Sequence, residues 1–187
     1  MTEIQYHIRV SENDVGKYVL LPGDPGRCES IANYFDNPTF VSFNREHKVY
    51  TGYINGEKVS VVSTGMGCPS TAIAVEELVK IGCHTFIRVG TSGAMQPGMK
   101  TGDIAIVNAA IRDEGTSRQY LPIEFPSVAN LDVTNALVTS AESLGLNYHV
   151  GVSHTKDSFY SEVEPERMPM ATFLKEQWNS YVAGGAI

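Results

Sequence analysis

The chain has 187 residues, 42% of them hydrophobic and 19% charged, ordinary proportions for one globular α/β domain with a sizeable core. Lys and Arg number 14 against 21 Asp and Glu, and the net charge of −7 argues against a nucleic-acid backbone as partner, because neutralising phosphates needs a surplus of Lys and Arg on one face. No apolar run approaches the ~20 residues of a membrane span, and the start "MTEIQYHIRV" lacks a signal-peptide core. Three widely spaced cysteines, Cys28, Cys68 and Cys83, read as reduced thiols, so the expectation is a cytoplasmic protein with no membrane partner.

Short β-branched runs alternate with helical patterns along the chain. "YVLL" (18–21) is a predicted strand that runs into the glycine turn "PGDPGR" (22–27), with Arg27 on the first turn of a helix. "VYTGYI" (49–54) and "KVSVVST" (58–64) form a predicted hairpin, because Asn55-Gly56 is a strong two-residue hairpin signal. Between Pro69 and Gly82, Ala74, Leu78 and Ile81 fall at i, i+4 and i+7, an amphipathic helix with Glu76 and Glu77 turned away from the core. "TFIRVG" (85–90) and "DIAIVNAAI" (103–111) are further strands. A helix over 132–144 follows, with Asp132 as N-cap and Gly145 as its stop. "HVGVSHT" (149–155) is the last strand, and a helix over about 170–182 groups Phe173, Leu174, Trp178 and Tyr181 on one face. The pattern predicts a three-layer α/β/α fold around a mixed, twisted β-sheet, in a single domain over 1–187.

Two phosphate signatures fail. Gly65-x-Gly67 follows a strand and opens a helix, yet Ser70 stands where a dinucleotide fingerprint has its third glycine, and no acidic residue closes a strand some 20 residues on. No P-loop sequence occurs. What remains is three strand ends where glycine stands beside a donor: Gly23 to Arg27, Gly65 to Gly67, and Arg88 to Gly93. Glycine-turn amides, two guanidiniums and a hydroxyl suit a small tetrahedral oxyanion, most simply inorganic phosphate. The competing reading pairs Arg27 and Arg88 with Asp24 or Asp103 as plain structural salt bridges. Arg45 reads as an exposed loop charge, and His47 and His84 as structural or exposed. Phe159 and Tyr160, near an Arg, could stack on a planar base or close the core.

Taken together, "PGDPGR" (22–27), "STGMGCPSTAIAVEEL" (63–78), "IRVGTSGAMQP" (87–97) and "IRDEGTSRQYLPIEFPSVANLD" (111–132) resemble the trimeric and hexameric nucleoside phosphorylases, and most of all their uridine phosphorylase branch. The resemblance implies a nucleoside-phosphorylase-like fold. It also implies a reaction, uridine plus phosphate giving uracil plus ribose 1-phosphate in nucleoside salvage, with phosphate as co-substrate and no required cofactor. Gly23, Arg27, Arg88 and Thr91 would hold the phosphate, and Arg45 would reach a neighbouring subunit's phosphate site. His7 would serve that neighbour's ribose site, and Thr91 would also touch the ribose. Ser92, Gly93 and Phe159 would line the base pocket. Arg27, Arg88 and Arg167 are the expected catalytic residues, Arg167 donating to the leaving uracil anion. Glu46, Met66 and Ser70 match positions that bind a monovalent cation, K+, between subunits. A homo-oligomer of dimers assembled into a hexamer, with shared active sites, follows from the same resemblance.

The chain departs from the family pattern in two places. Where the uridine branch places a Gln after the Phe-Tyr pair, Ser161-Glu162-Val163-Glu164 stands; Glu162 can accept from uracil N3–H but cannot donate to a carbonyl. The sequence ends at "AGGAI", where the family continues into a segment that holds the ribose hydroxyls, so the expectation is a domain incomplete at its C-terminus. The alternatives are a purine nucleoside phosphorylase or a nucleosidase of the same fold, or a truncated non-catalytic phosphate- or nucleoside-binding protein. Two phosphate-directed arginines speak against water as the nucleophile.

Overall fold

The computed structural model describes residues 3–187. They fold as two compact units, the first ending at Thr91 and the second running over Ser92–Ile187. The expected mixed α/β architecture is present, with its strands divided between a five-stranded and a three-stranded sheet.

In the first unit, β1 (Tyr18–Pro22), β2 (Asp36–Asn44), β3 (His47–Ile54), β4 (Glu57–Val62) and β5 (Thr85–Val89) lie in the order β2-β3-β4-β1-β5. β1 is parallel to both β4 and β5, whereas β2, β3 and β4 form an antiparallel meander. Alternation along the strands sorts the core onto two faces. Val19, Leu21 and Val62 join Ala74, Leu78 and Ile81 of the region around α2 (Cys68–Lys80) on one face. Leu20, Val59 and Val61 join Cys28 and Ala32 of α1 (Arg27–Ala32) on the other. The unit is therefore three layers deep, helix on sheet on helix. Full burial of a side chain such as Leu78 contributes about 1.5–3 kcal/mol.

β2 is a strand absent from the predicted set. Its Pro38 and two Asn residues read as strand breakers, yet β2 is an edge strand, where a residue without an N–H leaves no ladder bond unmade. Arg45 then sits in the β2–β3 turn at φ +53°, in the left-handed region. Glu77 corrects a second expectation. It lies on the apolar stripe of α2 and is buried, because position 77 shares a helical face with Ala74, Leu78 and Ile81.

In the second unit, β6 (Ile104–Asp113) pairs in parallel with β8 (Tyr148–Lys156) and in antiparallel fashion with the short β7 (Ser127–Val128). α3 (Leu131–Ser143) packs on β6. Its N-cap is Asn130, whose side chain accepts from Val133 N–H at 3.0 Å, rather than the expected Asp132, which sits in the first turn. Gly145, at φ +64°, follows the helix as its stop. α4 (Tyr160–Val163) and α5 (Ala171–Ala183) complete the unit. On α5, Leu174, Trp178 and Tyr181 are half-buried, but Phe173 is 52% exposed, one position off that stripe. Among the described residues no helix is long and apolar enough to cross a membrane.

Candidate functional site

Parallel strands end together, so the segments after β1, β4 and β5 emerge from one edge of the first sheet, the edge where open α/β sheets bind ligands. Two backbone bonds tie the first two of these segments: Thr64 N–H to Pro22 O and Gly65 N–H to Gly23 O, each at 2.9 Å. The β1–β5 register sets Leu21 opposite Arg88 and Pro22 opposite Val89. Arg88 Nη1 donates to Leu21 O at 3.0 Å and to Val89 O at 2.7 Å. Anchored by one nitrogen, the guanidinium turns Nη2 toward Gly23. A methyl group on Gly23 would stand 3.0 Å from Arg88 Nη2, 3.3 Å from Gly65 O and 3.8 Å from Arg27 Nη2. Gly23 thus leaves the space onto which both guanidiniums converge.

Neither arginine is neutralised. Among the described residues, no carboxylate forms an ion pair with Arg27 or Arg88. Asp24 instead accepts from Gly26 N–H at 2.8 Å, and Asp103 from Lys100 N–H at 2.9 Å, with His149 Nε2 3.0 Å from the same carboxylate. Within the first unit, Asp24 is therefore not the structural partner of either arginine. Partial burial, and then the neighbouring charge of Arg27, pull the pKa of Arg88 below its usual value. Two like charges held side by side at a strand end are stabilised by an anion between them.

Around this cradle the β2–β3 turn is fixed from behind. Buried His47 places Nδ1 3.0 Å from Ser63 O, Lys48 N–H donates to Ser63 Oγ at 2.7 Å, and Ser63 Oγ donates to Glu46 O at 2.5 Å. The turn carrying Arg45 and Glu46 is therefore held beside the segment after β4. Ser70 Oγ lies 2.6 Å from Glu46 Oε1 and 2.5 Å from Thr64 O. The Ser70 hydroxyl, above all, holds the Glu46 carboxyl below its ordinary pKa. Gly65 sits at φ +73°, and a Cβ there would stand 2.5 Å from Glu46 Cγ, so only glycine fits. Met66 is 98% exposed. Arg45 is exposed, and Thr91 is exposed just beyond β5. His7 is half-buried against Glu77, its Nδ1 2.6 Å from Oε1.

The remaining expected residues all lie in the second unit. Ser92 and Gly93 are exposed in an irregular segment. Phe159 is 66% exposed and meets Tyr160 edge-on, with ring centroids 5.3 Å apart. Glu162 is ion-paired with Lys156 and stands 3.5 Å from His154 Nδ1. His154 Nε2 lies 3.0 Å from Asp113. These four residues line a cavity of about 470 Å³ with Trp178. Arg167 is exposed and ion-paired with Glu164. In the motif "IRDEGTSRQYLP", Arg112 is a loop organiser: it donates to Ser117 Oγ and to the carbonyls of Ser117, Leu121, Pro122 and Phe125, all within 2.7–2.9 Å.

Sequence reasoning missed Glu77, the partner of His7. Its signal was its place on the apolar helix stripe, where an acidic residue demands a partner.

Fold and site together define an α/β protein in which two arginines, Arg27 and Arg88, converge on Gly23 at the carboxyl ends of parallel strands. Residues 17–178 match the phosphorylase superfamily, and the chain belongs to that family. It is 49% identical over 182 residues to a uridine phosphorylase of Treponema pallidum, covering 97% of this chain and 70% of that one. A uridine phosphorylase of Thermococcus kodakarensis is 54% identical over 157 residues, 84% of this chain and 57% of its own length. A guanosine phosphorylase of Halorubrum lacusprofundi is 43% identical over 158 residues, 84% of this chain and 66% of that one. The chain thus spans between about half and somewhat over two thirds of these relatives.

Proposed function

We propose that this chain carries the phosphate-binding part of a uridine phosphorylase, which converts uridine and phosphate reversibly to uracil and ribose 1-phosphate in cytoplasmic nucleoside salvage. The observation that carries the reading is the convergence of Arg27 and Arg88 on Gly23 with no carboxylate paired to either among the described residues. Glycosidic cleavage passes through a cationic sugar, and a phosphate dianion held in such a cradle both stabilises that charge and attacks it. Thr91 joins this group at the end of β5. Arg45 serves the same purpose for a neighbouring subunit, and His7 the neighbour's ribose, in a hexamer assembled from dimers. Ser92, Gly93, Phe159, Glu162 and Arg167 form the base-directed set. Both units belong to one phosphorylase-like domain on this reading, since the family match runs through both. Glu46 and Ser70 offer a carboxylate and a hydroxyl oxygen, and with the Met66 backbone they suit a hard monovalent cation such as K+.

A second reading keeps the phosphate cradle and changes the base. It is favoured by the likeness to a guanosine phosphorylase and by Glu162, a carboxylate where uracil needs a donor. Release of free base from uridine and from guanosine, each with and without inorganic phosphate, tests both. Phosphate-dependent uracil release is the expected result. Phosphate-dependent guanine release alone assigns the purine reading, and release that ignores phosphate contradicts phosphorolysis.

A further inference from the structure

The carboxylate of Glu77 is a heavily used acceptor. The His7 N–H reaches Oε1 and Oε2 at 3.1 and 3.0 Å, the Ile8 N–H donates to Oε2 at 2.9 Å, and His7 Nδ1 stands 2.6 Å from Oε1. Glu77 itself is 7% exposed. Burial alone would raise its pKa, but the hydrogen bonds from Ile8 and His7 outweigh burial and hold it below its ordinary 4.5. At neutral pH it is therefore an ionised group that can only accept.

That fixes the imidazole. A neutral ring facing an acceptor at Nδ1 carries its proton there, so Nε2 keeps a lone pair. The ring is also held in place. Tyr6 meets it edge-on at 4.9 Å, Asn44 Nδ2 donates to His7 O at 2.7 Å, and Ser42 Oγ donates to Ile8 O at 2.8 Å. With the His7 side chain 31% exposed, Nδ1 faces inward on the buried carboxylate and the ring keeps an accessible edge.

We propose that Glu77 is a positioning residue that sets His7 as a hydrogen-bond acceptor through Nε2, directed at a hydroxyl-bearing ligand. On the reading above, on which this part rests, that ligand is the ribose of a nucleoside held by a neighbouring subunit. A carboxylate serving only to cap the N–H groups of residues 7 and 8 would be replaced well by an amide. Glu77→Gln separates the two roles. Its carbonyl still accepts from the backbone, while its NH2 faces Nδ1 as a donor and drives the ring proton to Nε2.

Nitrogen-15 NMR of the full chain at pH 8 reads the tautomer directly. The wild type is expected to carry the His7 proton on Nδ1, and Glu77→Gln to move it to Nε2. A wild-type ring protonated on Nε2, or a folded Glu77→Gln variant with an unchanged tautomer, overturns the proposal; the wild-type spectrum decides even where the variant fails to fold. In turnover, Glu77→Gln is expected to raise the KM for uridine about tenfold, the factor set by one hydrogen bond. The KM for phosphate should change less than about twofold, and the substitution should have no further effect in a His7→Ala background. If the tautomer behaves as expected but His7→Ala leaves the uridine KM unchanged, the ribose assignment of His7 falls and the control of His7 by Glu77 stands.

Discussion

At Gly23 the need for glycine comes from crowding rather than from a backbone angle, because the space a methyl would take lies 3.0 Å from Arg88 Nη2 and 3.3 Å from Gly65 O. Gly23→Ala should therefore fold with a melting temperature near that of the wild type, since a guanidinium can swing aside, yet bind phosphate at least tenfold more weakly. Gly65 differs. At φ +73°, with Glu46 Cγ 2.5 Å from any Cβ, Gly65→Ala should cost about 1–3 kcal/mol in chemical unfolding. Carboxylates add a pH dependence with a definite sign. Asp14, through its bond from the Ser11 hydroxyl first, and Glu77, where hydrogen bonds outweigh burial, both titrate below their ordinary values of 3.8 and 4.5. Their stabilisation is complete above those values and is lost as pH falls through the lower folded ones. Melting temperature should be level from pH 7 to 5 and fall below about 4.5; a rise on acidification would contradict the assignment. The sequence singles out Arg27 and Arg88 because each stands beside a glycine turn at a strand end, and the structure adds their convergence on Gly23. The bond between Glu77 and His7 was not legible in the sequence, since its partners stand 70 positions apart.

The elements show a similar division. Runs such as "KVSVV" and the Asn55-Gly56 turn announced β3 and β4, and the stripe at 74, 78 and 81 announced α2. β2 was illegible because its Pro38 argues against a strand, and only an edge position, a property of the assembled sheet, removes the objection. The segment 115–126 is a long connection with little regular structure, and its order rests on the five bonds donated by Arg112. Lysine cannot reproduce that fork of donors. Arg112→Lys should leave α3 and β8 intact while amide exchange across 115–126 accelerates by at least about tenfold; unchanged protection there would show that the loop is held by other contacts. The cap at Asn130 is a smaller matter: Asn130→Ala should lower stability by about 1 kcal/mol.

For the molecule as a whole, the family is secure and the activity is a proposal resting on one half of the candidate machinery. The residues proposed to hold phosphate lie in the first unit, and those proposed to face the base lie in the second. Net charge argues against a nucleic-acid partner, but it says nothing about which small anion Arg27 and Arg88 are proposed to bind. That depended on where β1 and β5 bring Leu21 and Arg88 into register. The central claim is that Gly23, Arg27 and Arg88 bind inorganic phosphate, and calorimetric titration of the full chain with phosphate tests it most directly. The wild type should bind with saturable heat, and Arg27→Ala and Arg88→Ala, both still folded, should lose that heat. Absence of binding by the wild type, or equal binding by both variants, would contradict the account.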